Sequence, residues 1–470
     1  MSEFFLYAER SSIEILNNAC HKVILVGSDF GYPNFGDVLQ LKGVVTFHQR
    51  IGTLVPVPVF DVESISSPTF VGFLKRFYGV DVILFVSRRA YDLAHLDMVL
   101  VDEIREVSAL HLYGGGMLNS MWGAYVLDVA EYFLQRAPGV TYVVSGQQIG
   151  VEIRDRLVEH ISQFEPKLFG VRDYDSLQRM SSWGLRATYS FDDAYEAIIN
   201  LSAQIPLNRG DRVVAHLNVS SYTNDNIEER MGKIVKIFER IRSDFPHYRL
   251  TLVNAYNDKR FDVCDSLGSV VRLENDFPFK SYAVVDLAMA AYSGEIDDPN
   301  LLAGQIGISC SYHVTMFLHL AGIPCWLISQ NQYYEQKARS LNCDLRFEEF
   351  MNNPQIPDYS SRIEARAAWL EQLELAFDRF SKLSVNLCFN NNGRQPADAV
   401  FRFKAIGVDE LKAYITELLP GKEWLENQWK SATENLAKRE AELERERTRS
   451  LSYRISNFFG RNRKTKNERE

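Results

Sequence analysis

Short apolar runs alternate with stretches of helical periodicity along the chain, and this alternation constrains the fold more than any other feature. Between positions 21 and 194, six runs rich in Val, Ile and Leu are typical of buried strands, at 22–27, 54–60, 81–87, 110–113, 140–145 and 169–171. Amphipathic stretches separate them, at 37–50, 69–78, 92–107, 124–136 and 154–164. This strand–helix–strand rhythm predicts an open parallel sheet covered by helices, because crossovers between parallel strands are right-handed.

The same rhythm resumes after the loop at 204–211. Strands are predicted at 212–219, 249–255, 305–310 and 323–329, with helices at 227–244, 313–321 and 335–341. Longer helical stretches follow at 362–383 and 408–418. We therefore predict an α/β chain with one domain at 1–203 and a second at 204–350. A helical region at 351–420 that packs back on the body and a charged segment at 421–470 complete the chain.

Composition and charge exclude several classes of protein. The 470 residues are 46% hydrophobic and 24% charged, which is ordinary for a globular chain and excludes collagen-like or wholly disordered structures. The formal net charge of −9 argues against broad nucleic-acid binding. The six cysteines show no zinc-ligand spacing, so we expect no metal site and buried thiols in a reducing compartment. No apolar run approaches the ~20 residues of a membrane span, and residues 1–10 lack a secretory signal. We expect a soluble, cytoplasmic protein.

The end of the chain differs from the rest. Five residues lie on one helical face, Leu425, Trp429, Ala432, Leu436 and Leu443. This seam at 425–443 predicts either a helix for homo-oligomerisation or docking, or a solvated terminal helix. Residues 449–469 include seven Lys and Arg residues but only one acidic residue, Glu468. That segment could contact an anionic membrane surface, and a disordered solubilising tail is the alternative.

Three glycine-bearing loops follow predicted strands of the first domain, at 27–37, 114–119 and 145–150. Glycine lets the backbone approach a ligand closely, and the helix that follows offers unpaired N–H groups to an anion. One such loop is often only a turn, but three at one sheet edge predict a ligand cleft. The loops have neither the Walker spacing nor the GxGxxG spacing, which disfavours dinucleotide binding.

Two charged side chains also follow predicted strands. Arg172 could present its planar fork to a carboxylate or phosphate, or could form a salt bridge with Asp173 or Asp175 at the start of a helix. His313 lies at a strand-to-helix junction, where an ordinary pKa of roughly 6.5 suits proton transfer, although a structural role stays equally open. For His319 a structural role is expected.

These segments together resemble the polysaccharide pyruvyl transferase family, over about residues 22–341. The similar segments appear in the family's order: Asn34-Phe35-Gly36-Asp37 (N-x-G-D), Gly114-Gly115-Gly116 (G-G-G), 145–150 (G-Q-x-I-G), 171–176 (V-R-D-x-x-S), Asp192-Asp193-Ala194 (D-x-a) and His313 with 321–324 (R-x-H…G-x-P). Each segment is short, but the ordered set is specific.

The resemblance implies two Rossmann-like domains in a GT-B-like arrangement, plus a C-terminal helical extension. It implies phosphoenolpyruvate as donor and, as acceptor, a sugar of a surface polysaccharide (an exopolysaccharide) or its lipid-linked precursor. The product would be a pyruvate ketal across two hydroxyls, with phosphate released and without a nucleotide cofactor or an obligatory metal. Such an enzyme would be cytoplasmic and could be peripheral at the inner face of the membrane.

The resemblance also assigns roles to residues. His313 is expected to be the general acid, and Asp37 to orient or deprotonate an acceptor hydroxyl. The expected substrate-binding residues are Asn34, Gly36, Gly114, Gly115, Gly116, Gln147, Arg172, Ser311 and Tyr312. We expect Asp37, Gly115, Gln147, Arg172 and His313 to face one cleft.

One position departs from the family pattern. Ser311 stands where the family has an arginine, two residues before the histidine. We expect another Lys or Arg within salt-bridge distance of Ser311, with Lys259, Arg260, Lys280 and Lys337 as candidates. Two other functions stay open: a GT-B-type glycosyltransferase with a nucleotide-sugar donor, and a non-catalytic glycan-binding relative.

Overall fold

The computed structural model describes residues 4–380, apart from positions 19–20, 30, 32, 66, 120–121, 123, 220–225, 257–264, 274–275 and 330. The helix predicted at 408–418, the seam at 425–443 and the basic segment at 449–469 lie outside the described residues, as do Lys259 and Arg260. Among the described cysteines, Cys310, Cys325 and Cys343 are buried free thiols, as predicted.

A ten-stranded sheet forms the first half of the structure. Its strands are β1 (Phe5–Glu9), β2 (Lys22–Val26), β3 (Val55–Asp61), β4 (Leu84–Ser87), β5 (Met98–Leu100), β6 (Val107–Leu112), β7 (Gly115–Leu118), β8 (Thr141–Ile149), β9 (Leu168–Val171) and β10 (Thr188–Tyr189). The parallel strands are ordered β4-β3-β2-β6-β8-β9-β10, which is the Rossmann order 3-2-1-4-5-6 with one strand added. β1 closes one edge, antiparallel to both β4 and β5, and β7 pairs with β8.

Helices cover this sheet, and local sequence signals explain where they begin and end. They are α1 (Ile13–Asn18), α2 (Phe35–Ile51), α3 (Pro68–Tyr78), α4 (Tyr125–Arg136), α5 (Arg154–Gln163), α6 (Tyr174–Ser182) and α7 (Tyr195–Ser202). Asn34 caps α2, and Ser67 caps α3 ahead of Pro68. Gly52 ends α2 in the left-handed conformation that favours glycine.

A five-stranded parallel sheet forms the second half. Its strands are β11 (Arg212–His216), β12 (Arg249–Asn254), β13 (Tyr282–Asp286), β14 (Ile306–Ser309) and β15 (Cys325–Leu327), in the order β13-β12-β11-β14-β15. The accompanying helices are α8 (Ile227–Asp244), α9 (Ser266–Leu273), α10 (Leu287–Ser293), α11 (Tyr312–Leu320), α12 (Gln332–Ser340) and α13 (Phe347–Asn352). The order 3-2-1-4-5 is again Rossmann-like. The α/β class with two Rossmann-like sheets, GT-B-like in arrangement, is thus confirmed.

A final described helix, α14 (Ser360–Phe377), returns to the first sheet and packs near β9 and β10. Trp369 of α14 is fully buried, and a Cβ added to Gly170 of β9 would lie 2.7 Å from its ring. Glycine at position 170 therefore makes room for the indole. No helix in the described part of the chain combines the length and apolarity needed to cross a membrane.

The prediction of a helix at 92–107 is wrong. That stretch holds a short 3-10 turn, the edge strand β5 and an irregular segment up to β6. β5 is held by pairing with β1, a strand more than eighty residues earlier, so a contact remote in sequence overrides the local helical periodicity. The remaining predicted helices within the described range are present.

The buried indole of α14 predicts how strongly this helix is held to the first sheet. Trp369→Ala should lower the free energy of unfolding by about 3–5 kcal/mol, since it removes a large buried side chain and leaves a cavity. Urea denaturation measures the change. Leu375→Ala, on the same helix but 73% exposed, is the matched control and should change it by less than about 0.5 kcal/mol. Equal losses in the two variants would contradict the packing described.

Candidate active site

Two of the segments predicted as glycine loops adjoin the point where the order of the first sheet reverses. The loop predicted at 145–150 is wrong, because β8 continues to Ile149, and most of the loop predicted at 114–119 is the strand β7, which pairs with β8. The segment after β2 leads into α2, and the segment after β6 holds Gly114–Gly116. β2 and β6 are neighbours whose crossovers run in opposite directions, which leaves a crevice outside their carboxyl ends. Ligands of open α/β sheets bind in such crevices.

The start of α2 is also where the two sheets' domains touch. The backbone N–H of Phe35 donates to the carbonyl of Ala255 at 2.8 Å, and Asn34 forms an isolated antiparallel bridge with Tyr256. The Phe35 ring packs edge-on against Phe317 of α11, with centroids 5.7 Å apart. The first turn of α2 therefore lies against the second domain.

Gly36 explains how His313 reaches this turn. A Cβ built on Gly36 would lie 1.8 Å from Nδ1 of His313, so any side chain at position 36 would occupy the space of the imidazole. The Asn34 side chain accepts hydrogen bonds from the N–H groups of Gly36 at 3.0 Å and Asp37 at 3.5 Å, which sets the turn. The glycine predicted to approach a ligand instead admits a histidine from the other domain.

His313 faces a buried carboxylate. Its Nε2 lies 3.5 Å from Oδ2 of Asp192, an ion-pair distance whose geometry falls short of a hydrogen bond. The His313 side chain is 12% exposed and that of Asp192 is fully buried. Burial lowers the pKa of His313, and the charges of Arg172 and Lys337 lower it further, whereas Asp192 acts to raise it.

Asp192 is held in place from several sides. It accepts hydrogen bonds from Nε2 of Gln40 at 3.1 Å, from the N–H of Ala194 at 2.9 Å and from Nη1 of Arg172 at 3.3 Å. Burial acts to raise the pKa of Asp192, but His313 and Arg172 outweigh burial and hold that pKa well below its ordinary value. Asp192 is therefore an anion at neutral pH.

The adjacent Asp193 points at the glycine loop. Its Oδ2 accepts from the N–H of Gly114 at 2.9 Å and from Oγ of Ser145 at 2.6 Å. Its Oδ1 accepts from Nη1 of Arg366 at 2.8 Å. Two consecutive carboxylates thus hold two different parts of the site, His313 on one side and the Gly114–Gly116 loop on the other.

Asp37 has an unusual acidity. It is half-buried, and its pKa is raised to about 7 by burial and by the negative charge of Asp29, against the opposing effects of Lys337 and Arg172. Burial likewise raises the pKa of Asp29 to about 6, although the Tyr78 hydroxyl and the Gly31 N–H both donate to it. A carboxyl group poised near neutral pH suits acid–base work.

Arg172 is the buried cation of the site. It donates to Asp192 and to Oε1 of Gln148, and its guanidinium carbon lies 4.3 Å from the centre of the Tyr312 ring. Its Nε is buried without a hydrogen-bond partner. Of the two interpretations from sequence, neither Asp173 nor Asp175 is the partner: Asp173 caps α6 through the N–H of Ser176, and Asp175 pairs with Arg339.

Lys337 of α12 supplies a second cation. It is half-buried, and its Nζ lies 4.0 Å from the centre of the Tyr333 ring. Burial and Arg172 lower the pKa of Lys337, and its charge acts on Asp37 and His313. Lys280, by contrast, donates to the carbonyl of Phe277 at 2.9 Å. Of the two candidate cations that the structure describes, Lys337 is thus the one that acts on the site. A salt-bridge distance between Lys337 and Ser311 stays a prediction.

Some predicted residues lie beside the charged cluster with structural contacts of their own. Gln147 donates to the carbonyl groups of Tyr113 and Ser145, while its neighbour Gln148 accepts from Arg172. Ser311 caps α11 by accepting from the N–H of Val314. Tyr312 is buried under Arg172.

Of the three consecutive glycines, two lie against structural side chains and one lies beside the cations. A side chain at Gly114 would meet Asp193 and Gln40, and one at Gly115 (φ +120°) would meet Ser28. A Cβ at Gly116 would lie 2.6 Å from the Tyr333 hydroxyl and 3.1 Å from Nη2 of Arg172. Gly116 is therefore the glycine that borders the cations. His319, as expected, is structural, because its two ring nitrogens hydrogen-bond to the Tyr359 hydroxyl and to the carbonyl of Cys325.

Sequence reasoning missed three contributors: Asp192, Gln148 and Tyr333. Asp192 lies in the D-x-a segment, where only the tertiary structure shows which carboxylate faces the histidine. Gln148 is adjacent to the predicted Gln147, and side chains of successive strand residues point to opposite faces. Tyr333 carried no signal in the sequence. Within the described residues, no group of three or more His, Cys, Asp or Glu side chains is arranged to hold a metal ion.

The close approach of His313 to Gly36 predicts the effect of a single methyl group. Gly36→Ala should lower the free energy of unfolding by about 1–3 kcal/mol, because the methyl overlaps the imidazole. The matched control is Gly232→Ala in α8, where a Cβ meets nothing within 4 Å; it should raise stability by up to about 1 kcal/mol through helix propensity. Urea denaturation distinguishes them. Adding His313→Ala to Gly36→Ala should recover most of the loss, and no recovery would contradict the contact.

The raised pKa of Asp37 predicts a pH-dependent cost. The folded-state pKa of about 7 exceeds the ordinary value of 3.8, so folding loses stability as pH rises through 7 and the carboxyl ionises. Asn cannot ionise, so Asp37→Asn should raise Tm above that of the unmodified protein, and by more at pH 8 than at pH 6. Thermal denaturation at both values tests this. Asp155→Asn, at a side chain 96% exposed, is the matched control and should leave Tm close to that of the unmodified protein.

We compared the chain with curated proteins and with solved structures. No curated protein matches the sequence. Solved structures with similar folds include the UDP-N-acetylglucosamine 2-epimerase from Rickettsia bellii, with 9% identity, TM-score 0.43 and coverage of 78% of this chain and 99% of that one. A spinosyn rhamnosyltransferase complexed with thymidine diphosphate has 11% identity, TM-score 0.37 and coverage of 77% and 99%. At TM-scores below 0.5, these likenesses say nothing about the activity of this chain.

The family comparison is more informative. The sequence model of the polysaccharide pyruvyl transferase family matches residues 34–331, which is more than half of the chain. The match begins at Asn34, the residue that caps α2, and includes Arg172, Asp192 and His313. This chain belongs to the polysaccharide pyruvyl transferase family and is a transferase.

Proposed function

We propose that this transferase moves a pyruvyl (carboxyethylidene) group from phosphoenolpyruvate to a sugar of a surface polysaccharide or its lipid-linked precursor. The single observation that carries the proposal is the pair of ionisable groups at the junction of the two domains. His313 lies against Gly36, and Asp37, with a pKa of about 7, is the next residue along the chain. Family membership supports the same reaction.

The cations of the site suit the donor. Phosphoenolpyruvate carries a phosphate and a carboxylate on three carbons, so its recognition requires closely spaced positive charge. Arg172 and Lys337 provide that charge from different domains, and both act electrostatically on Asp37. The buried Nε of Arg172, which has no partner, is a donor that an anionic oxygen can satisfy.

The proposed reaction balances without an added cofactor. A proton goes to the methylene carbon of phosphoenolpyruvate, and the carbon that bears the phosphate becomes oxocarbenium-like. A sugar hydroxyl attacks that carbon and loses its proton, and the C–O bond to phosphate then breaks. A second hydroxyl attacks and gives the cyclic ketal, and its proton leaves with hydrogen phosphate. One hydroxyl proton thus replaces the proton spent on the methyl group.

His313 is the proposed general acid and Asp37 the group that orients or deprotonates the acceptor hydroxyl. Without donor, burial and two cations keep the pKa of His313 below its ordinary value. The negative charges of bound phosphoenolpyruvate offset those cations and raise the pKa of the imidazole. Binding of the donor therefore favours the protonated form of His313, which the first step needs. Without the donor, His313 is mostly neutral.

The decisive experiment is phosphate release from phosphoenolpyruvate with candidate glycan acceptors, with mass spectrometry for the carboxyethylidene increment on the glycan. His313→Gln should lower kcat about 10²–10⁴-fold, as expected for loss of a general acid. It should also remove the high-pH limb of the kcat profile, because the imidazole is protonated in the donor complex and the complex loses activity as pH rises. His95→Gln, at an exposed histidine, is the matched control and should match the unmodified protein.

Other outcomes would favour the alternatives raised from the sequence. Heat protection by UDP- or GDP-sugars but not by phosphoenolpyruvate would favour a glycosyltransferase. Glycan binding that is unaffected by His313→Gln, without phosphate release, would favour a non-catalytic relative. Either result would overturn the proposed reaction.

A further inference from the structure

Arg366 of α14 lies beyond the part of the chain that matches the family, yet it contacts residues of the site. It is 4% exposed. Its Nε and Nη2 donate to the two carboxylate oxygens of Glu196 at 2.8 and 2.9 Å, and its Nη1 donates to Asp193 at 2.8 Å and to the carbonyl of Ser190 at 3.4 Å. The guanidinium therefore forms a bidentate pair with Glu196, and its third nitrogen donates to the turn that contains Ser190 and Asp193.

That turn, residues 190–193, is strained. Phe191 has φ +57°, a left-handed conformation that costs a bulky residue of order 1–3 kcal/mol and persists only where the surroundings enforce it. Its ring is fully buried. Arg366 binds on both sides of Phe191, at Ser190 and at Asp193, so it contacts the turn where the strain is stored.

The turn sends its two carboxylates in different directions. Asp192 faces His313 and Arg172, while Asp193 accepts from the N–H of Gly114. If the turn relaxed to an ordinary conformation, both carboxylates would leave these positions together. The geometry of the histidine and of the glycine loop thus depends on one backbone conformation.

We propose that Arg366 is a positioning residue, which acts through the 190–193 turn to hold Asp192 against His313 and Asp193 against Gly114. As a role in catalysis this rests on the proposed function. The positioning itself can be measured without turnover. Arg366 touches neither His313 nor Arg172 among its hydrogen bonds, so it is not a catalytic residue.

The same helix offers a matched control. Arg362, one turn earlier, is 3% exposed and also satisfies its guanidinium on oxygen atoms, the carbonyls of Ser340 and Asp358. It makes no contact with the 190–193 turn among these bonds. The Arg362 guanidinium lies 5.3 Å from the centre of the Tyr359 ring, which contacts Phe191 edge-on. Loss of Arg362 therefore reports what it costs to remove a buried arginine from α14 without loss of a hydrogen bond to the turn.

The direct test is an NMR titration of the His313 imidazole in the full chain, assigned among the nine histidines by His313→Gln. The charged groups that act on His313 are Asp192 from the turn, Arg172 after β9 and Lys337 of α12. On α2, the ring contacts Gly36, the residue before Asp37. Asp192 raises the pKa of His313 and the cations lower it. Arg366→Met should therefore lower that pKa further, because Asp192 moves away while the cations stay.

Arg362→Met should leave the His313 titration unchanged. Arg366→Lys keeps the charge but not the fork, so it should give a shift in the same direction but smaller than that of Arg366→Met. It also serves if Arg366→Met does not fold. A His313 titration in both Arg366 variants equal to that of the unmodified protein, or equal shifts in the Arg366 and Arg362 variants, would overturn the proposal.

Kinetics separate this proposal from the proposed function. If phosphoenolpyruvate is the donor, Arg366→Met should lower kcat about 10- to 100-fold and move the high-pH limb of the profile to lower pH, whereas Arg362→Met should only lower Tm. If the unmodified protein releases no phosphate, the proposed function fails, and the NMR titration still decides whether Arg366 positions the turn. An unchanged kcat in an active Arg366→Met enzyme would refute its part in catalysis.

Discussion

The whole site depends on one ion cluster, the fully buried carboxylate of Asp192 between Arg172 and His313. A carboxylate without solvent is stable only where cations and hydrogen-bond donors replace water, and Gln40, Ala194 and Arg172 do so from the first domain. His313 reaches the same carboxylate from the second domain. The same carboxylate thus contacts side chains of both Rossmann-like halves at the place where the first sheet's strand order reverses.

The site brings carboxyl groups and cationic side chains into one electrostatic cluster. Asp29, Asp37 and Asp192 face Arg172, Lys337 and His313, and two of the three carboxyl groups have pKa values raised to about 6 and 7 because burial penalises another anion. Cations held by buried groups of the protein need little reorganisation when an anionic ligand arrives. The charged groups are therefore already in position before an anionic ligand binds. Holding them there destabilises the folded protein, through the strained backbone at Phe191 and through buried carboxyl groups that resist ionisation.

Much of the fold could be predicted because it is encoded locally. The Val- and Ile-rich runs and the caps at Asn34 and Ser67 identify strands and helix starts with no knowledge of the rest of the chain. The helix predicted at 92–107 failed where β5 pairs with β1, a contact that local periodicity does not report. At the site, Gln147 was expected where Gln148 contacts Arg172, since one residue along a strand reverses the face.

The sequence by itself determined the α/β class, the order of the glycine loops and the residue types that gather at the sheet edge, because periodicity and spacing are properties of neighbouring residues. Only the tertiary structure decided that Gly36 makes room for His313, that Asp192 and not Asp37 faces the imidazole, and that Arg366 from a later helix clamps the intervening turn. These contacts join positions far apart in the chain, and their energies depend on burial and distance, which no local pattern contains.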